Sequence, residues 1–251
     1  LIESGVSANE LANEIAGRIQ AIDGISLGYH AVGEAKIDVK LTQEYRDRHI
    51  YIVGKSGSGK TNLMRNLILQ DLMVGSGLAV LAPEQEMLTE EILPFIPEER
   101  LDDIIYIDPA DTDCPVSFNP LHLDPGEDPD LKVDENLTVF KRLMGETGPR
   151  MEEILRQSLY ALVERPGTTL MDVLRLLDRQ DDSFRKDIAS TCPHPEVRAF
   201  FRDTYPTLPK DAHLPITNRL GRFLHPRSVR SILCNPGQSL NFGQCMDQGK
   251  V

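Results

Sequence analysis

Eight residues, Gly54, Lys55, Ser56, Gly57, Ser58, Gly59, Lys60 and Thr61, stand between a strand-sized stretch and a helix-patterned one. The stretch before them, residues 49–53, reads HIYIV. After them Leu63, Leu67, Ile68 and Leu72 recur at helical spacing until Gly75, Ser76 and Gly77 end the run. The octet fits G-x-x-x-x-G-K-[ST] at every fixed position. A chance match in a chain of this length is on the order of 1%. Strand, glycine loop, helix is the context that this pattern requires. The rhythm then continues. Residues 78–81 and 104–107 read as buried-type strands, and a short helix over 86–93 is broken by Pro94 and Pro97. Residues 49–108 therefore predict a parallel sheet with crossover helices.

The octet has a physical logic for phosphate. Glycines at 57 and 59 let several backbone N–H groups turn into one hollow, and side chains there would obstruct a phosphate. The hollow lies at a helix N-terminus, whose partial positive charge favours an anion. Lys60 can reach β- and γ-phosphate oxygens, and the Thr61 hydroxyl can ligate Mg²⁺. Hydrolysis asks for a further carboxylate at a strand end. Asp108, after the apolar residues 104–107, is one candidate, with capping of a turn as its alternative. Pro109 follows it, not a second acid. Glu84 and Glu86 follow the preceding strand and can face the same crevice or form a solvated loop.

Composition sets the outer limits. The chain has 251 residues and a formal charge of −12. That excludes a protein that coats nucleic acid with its whole surface, but not a local basic groove. No apolar run approaches the ~18–20 residues of a membrane span. Cys114, Cys192, Cys234 and Cys245 have no C-x-x-C spacing, so reduced intracellular thiols are expected and a zinc site is not. The chain starts at Leu1 and shows no secretory signal, which points to a piece of a longer reading frame.

Outside 49–108 the patterns change. Val6, Leu11, Ile15, Ile19 and Ile22 predict a helix opened by Ser7 and Glu10 as a capping box, and residues 25–41 predict two short strands. Residues 124–135 form an acidic, Pro-containing connector. Residues 136–233 are helical in pattern. Ile154, Leu155, Leu159, Leu162 and Val163 make one stripe, Thr169 and Asp172 cap the next helix, and Pro195 opens another. Residues 196–230 hold seven Lys or Arg against three acids. Arg219 and Arg222, three apart, share a helix face. They suit a phosphate backbone, an arginine finger or simple solvation. Residues 239–242 and 250–251 predict a return to strand.

The run HIYIVGKSGSGKTNLMRNLILQDL resembles the HerA/FtsK-like ATPases, closest to the TraD/TraG-like coupling proteins of conjugation and type IV secretion and their DUF87-type relatives. PEERLDDIIYID (97–108), VSFNPL (116–121), GPRMEEIL (148–155), PGTTL (166–170) and NRLGRFL (218–224) extend the resemblance over about residues 45–251. It implies an α/β fold, a RecA/FtsK-like P-loop NTPase with a mostly parallel sheet and a helical insertion. Residues 1–44 would precede a nucleotide-binding core over 45–120, with the insertion over 121–233 and the return to the core over 234–251. It implies ATP and Mg²⁺ as ligands, DNA as a partner, a homo-hexameric ring and a membrane secretion machinery. The location would be cytoplasmic, at the inner membrane face through segments outside this chain. The family's Asp-Glu pair lies on a later strand than that of Asp108, so the catalytic acids are expected beyond residue 251. Arg150, Arg219 and Arg222 are candidates for the arginine finger. Residues 82–86, APEQE, depart from the Asp-Pro and Gly-Asp usual there, and no role is carried to them. A non-catalytic nucleotide-binding module and a phosphotransferase are the alternatives. The N-K-x-D of a guanine-specific switch is absent.

Overall fold

The computed structural model describes residues 23–32, 35–83, 85–145, 148–180, 182–237 and 239–251. The expected helix over 6–22, with its Ser7 and Glu10 cap, lies outside them. About 53% of the structure is helical. Among the described residues the only sheet is a two-stranded antiparallel hairpin. The expected mostly parallel α/β sheet of RecA/FtsK type is therefore overturned. Residues 49–53, 78–82 and 104–108 run without strand pairing to one another. A short apolar run becomes a strand only when a neighbour takes up its backbone groups. Here the available partner is the chain end. Leu78 N–H donates to the Lys250 carbonyl (3.2 Å), Ile105 N–H to Val251 O (2.7 Å) and Val251 N–H to Asp103 O (3.0 Å). Residues 49–53 face solvent instead, with Tyr51 86% exposed.

The chain divides into two compact units, Leu1–Ile105 with Phe242–Val251, and Tyr106–Asn241. In the first, β1 (Ile25–Val32) and β2 (Ala35–Leu41) form the hairpin, as the sequence predicts for 25–41. Helices α1 (Gln43–Arg46), α2 (Lys60–Met73) and α3 (Gln85–Glu91) follow. Pro94 and Pro97 then limit the chain to 3-10 turns at Leu93–Phe95 and Glu98–Asp103. The Gln70 side chain hydrogen-bonds the hairpin to α2. Gln70 Nε2 donates to Ser26 O and its Oε1 accepts from Ser26 N–H, both at 2.9 Å. Arg46 Nη2 reaches both carboxylate oxygens of the buried Asp71 (2.8 and 2.6 Å), tying α1 to the same end of α2. Among the described residues the unit's buried apolar side chains are Ile25, Ile37, Leu72 and Ile92.

The second unit is helical, as its periodicity predicts. It comprises α4 (Pro129–Met144), α5 (Pro149–Val163), α6 (Leu170–Leu177), α7 (Ser183–Thr191), α8 (Pro195–Ala199), α9 (Leu214–Phe223) and α10 (Arg227–Leu233). Helix α8 runs on into a π-turn over Phe200–Thr204. The α5 stripe of Ile154, Leu155, Leu159, Leu162 and Val163 is buried. Thr169 N–H donates to Asp172 Oδ2 (2.8 Å) and Met171 N–H to Thr169 Oγ1 (3.3 Å), closing the expected capping box on α6. Pro195 occupies the first turn of α8. Tyr205 and Phe201 fill the centre, and the Tyr205 hydroxyl donates to Leu177 O (2.9 Å). Burial holds that phenol above its usual pKa. The strand expected over 239–242 is not formed. Leu240 N–H does donate to Ser117 O (2.8 Å), but helix α11 (Phe242–Asp247) begins at its end.

Candidate functional site

The first unit builds the Gly54 to Thr61 octet as a loop that opens α2. Its backbone turns at Gly57 (φ +74°) and Gly59 (φ +87°), a region that other residues adopt only at a cost. A β-carbon added at either glycine would meet no protein atom within 4 Å, so the space beside each is open. At Gly54 an added β-carbon would collide with Ser58 Oγ, so Gly54 lets the two sides of the loop approach. Ser58 N–H donates to Lys55 O (3.2 Å) and closes the turn between them.

Gly59 is the N-cap of α2 and carries no capping side chain. The first intrahelical bond runs from Leu63 N–H to Gly59 O (2.9 Å). Helix geometry therefore leaves the N–H groups of Lys60, Thr61 and Asn62 without intrahelical acceptors. The first turn contains no acidic residue. Instead Lys60 takes its first position, where a cation opposes the helix dipole. Lys60 Nζ donates to Gly54 O (2.9 Å) and Lys55 O (2.8 Å). An ammonium has three protons, so the third remains for an anion held in the hollow. Lys55, Ser56, Ser58 and Thr61 are exposed around it. The residues thus fit a polyphosphate: N–H donors, an ammonium held across the loop, and a threonine hydroxyl for Mg²⁺.

Two supports of this loop escape the sequence pattern. Arg65 Nη2 donates to Asn62 Oδ1 (2.8 Å) and steadies the first turn. Its spacing, four after Thr61, is the signal that marks it as a neighbour on the helix. Gln70 and Asp71 anchor the far end of α2, with partners 44 and 25 residues away that no local pattern shows.

Of the remaining candidates Asp108, Arg150, Arg219 and Arg222 belong to the second unit. Asp108 is half-buried and its Oδ1 accepts from Ala110 N–H (2.8 Å), the turn-capping arrangement that is its alternative reading. Arg150 is exposed in the first turn of α5, and Arg219 and Arg222 are exposed on α9. Glu84 lies outside the described residues, and Glu86 falls in α3. Cys192 is buried, which raises its thiol pKa, and His194 pairs with Glu164. Among the described residues no group of three or more His, Cys, Asp or Glu converges on a metal position, and no helix is long and apolar enough to cross a membrane. Comparison of the chain with family models, with curated proteins and with solved structures finds no match.

Proposed function

We propose that this chain binds ATP with Mg²⁺ at residues 54–61 and supplies the ATP-binding part of a DNA-translocating ATPase of the conjugative coupling type. The observation that carries the first half is the start of α2: an uncapped helix N-terminus, no acid in its first turn and Lys60 bridging Gly54 and Lys55. In a chain of −12 this gathering of positive charge opposes a helix dipole unless an anion offsets it. The second half, with DNA, a hexameric ring, a secretion machinery and a cytoplasmic setting at the membrane's inner face, is supported by the family resemblance of the quoted segments. The proposal concerns the loop and not a parallel-sheet core.

Each residue has a part. The N–H groups of the first turn hold phosphate oxygens, and Lys60 gives its third proton to a β- or γ-oxygen. Thr61 offers its hydroxyl as one oxygen ligand to the metal. Mg²⁺ held there would supply neutralisation of the phosphate charge. Gly57 and Gly59 keep the hollow clear.

The test is equilibrium binding of a fluorescent ATP analogue with Mg²⁺ to the wild-type chain and to Lys60→Ala. Loss of one charge-assisted hydrogen bond, about 2 kcal/mol, corresponds to roughly a 30-fold weaker Kd. Equal affinities would remove Lys60 from the site and the reading with it.

A further inference from the structure

Helix α2 carries, within its own first turn, a group able to occupy the N–H donors on which anion binding depends. Lys60, Thr61 and Asn62 are its first three residues. An oxygen on the third residue of a helix can reach back to the N–H groups at the helix start. Helix α6 shows this reach in the same chain: Asp172, its third residue, accepts from Thr169 N–H at 2.8 Å. Asn62 holds the corresponding position in α2, and its amide has the length of that carboxylate. Asn and Asp also bond their own N–H and those of near neighbours, so the reach of Asn62 covers the first turn itself. Yet α2 starts without a side-chain cap. Among the described residues the Asn62 oxygen has one partner, Arg65 Nη2 at 2.8 Å. The other end of the amide only donates, so it offers the N–H groups nothing.

Arg65 is held for this bond at a cost. It is half-buried, and among the described residues its buried Nε finds no acceptor. An N–H buried without an acceptor costs more than one solvent-exposed hydrogen bond returns, and the bond to Asn62 is exposed. The pair is thus a poor device for stabilising the helix. Support of the first turn by an i, i+3 bond is the plain alternative. The two readings differ in what Arg65 does to the N–H groups before it. Support keeps the turn closed, whereas holding the Asn62 oxygen keeps the turn's donors open.

We infer that Arg65 is a positioning residue for the anion site: it holds the Asn62 oxygen and so leaves the N–H groups of the first turn to phosphate. The inference rests on the reading of residues 54–61 as a polyphosphate site, and it adds a part that lies outside the octet. Asn62, directly after Thr61, is a competitor for the donors that the phosphate needs, and Arg65 withdraws it from the following turn. A released Asn62 oxygen would occupy the donors whatever the ligand. Nucleoside di- and triphosphates are therefore expected to weaken by the same factor when Arg65 is lost.

The experiment measures Kd for a fluorescent ATP analogue with Mg²⁺ on the full chain, with Lys60→Ala as reference. Arg65→Met removes the donor and keeps an apolar stem. It is expected to bind roughly five- to tenfold more weakly, the worth of one net hydrogen bond. Adding Asn62→Ala to Arg65→Met removes the competitor, and affinity should return to within about twofold of wild type. Asn62→Ala alone should bind like wild type. An Arg65 that merely supports the helix, or merely supplies charge, forecasts no recovery. A double variant as weak as Arg65→Met therefore overturns the inference, and so does an Arg65→Met that binds like wild type. Hydrogen exchange followed by NMR without nucleotide gives a second readout that needs no ATP binding. The N–H groups of residues 60–62 should gain protection in Arg65→Met and lose it again in the double variant. Lower protection in Arg65→Met would show helix support instead and overturn the inference. If wild type and Lys60→Ala bind the analogue equally, the reading of the 54–61 loop fails and the inference with it. If those two differ but the double variant does not recover, the positioning role alone fails.

Discussion

Gly59 holds φ at +87°, and a β-carbon there would touch nothing within 4 Å. The cost of a side chain is therefore torsional and not steric, about 1–2 kcal/mol. Gly59→Ala is expected to lower the urea stability of the first unit by that amount. It should also weaken ATP binding, because the N–H groups that follow would swing with the relaxed backbone. An alanine variant with unchanged stability would mean that the loop does not hold the left-handed turn. His213 gives a second residue-scale test. Burial first, and the charge of Arg179 second, lower its pKa; Asp178 opposes them, Arg185 adds a smaller lowering and Asp211 opposes least. The folded protein thus takes up its proton at lower pH than the unfolded chain, whose histidine titrates near 6.5. Stability that is complete above about pH 6.5 is lost as pH falls below it. Comparing urea midpoints at pH 7.5 and 5.5, His213→Gln should lose less than wild type. Identical losses in both proteins would show that His213 does not carry this dependence.

Helix α9 carries Gly221 in its interior, and no atom lies within 4 Å of the position its β-carbon would take. Its φ is not positive, so alanine fits without strain. Gly221→Ala is expected to stabilise the second unit by about 1 kcal/mol in urea unfolding. A destabilised variant would reveal a close approach that the backbone needs. This element also shows what sequence can disclose. The stripe of α5 and the Thr169 box were legible because a helix uses only its own residues to form, and its buried side repeats every 3.6 residues. The loop was legible for the same reason, since its turns, its helix start and Lys60 lie within eight residues. The runs at 49–53, 78–82 and 104–108 carry apolar character but no record of their partner. Leu78 and Ile105 bond to Lys250 and Val251, about 150 residues or more away, and residues 49–53 gain no such rung. The strand–helix rhythm of 49–108, and the family resemblance after it, filled that gap with a parallel sheet, and there both failed. The Gln70 clamp on Ser26 was hidden for a related reason, because one amide 44 residues from its partner leaves no periodic trace.

Among the described residues the two units bury cores of unequal size. Twenty-five buried side chains form one cluster in the second unit, while the described residues of the first bury Ile25, Ile37, Leu72 and Ile92 and leave Tyr51, Val53 and Leu81 exposed. Burial of apolar area is the main favourable term in folding, so the first unit should open at lower urea. The 54–61 loop belongs wholly to that unit. A ligand that binds only the folded loop stabilises it by RT ln(1 + [L]/Kd), about 2.7 kcal/mol at one hundred times Kd. Hydrogen exchange can follow each unit separately, which suits a chain without tryptophan. With Mg²⁺ and ATP present, protection should rise in α2 and the β1–β2 hairpin that Gln70 clamps to it, while α5, α6 and α9 keep their own opening free energy. Equal protection of both units would show that the two cores open as one, and the loop would then have to be read as part of a single cooperative structure. Protection confined to the second unit would place the nucleotide away from Lys60 altogether.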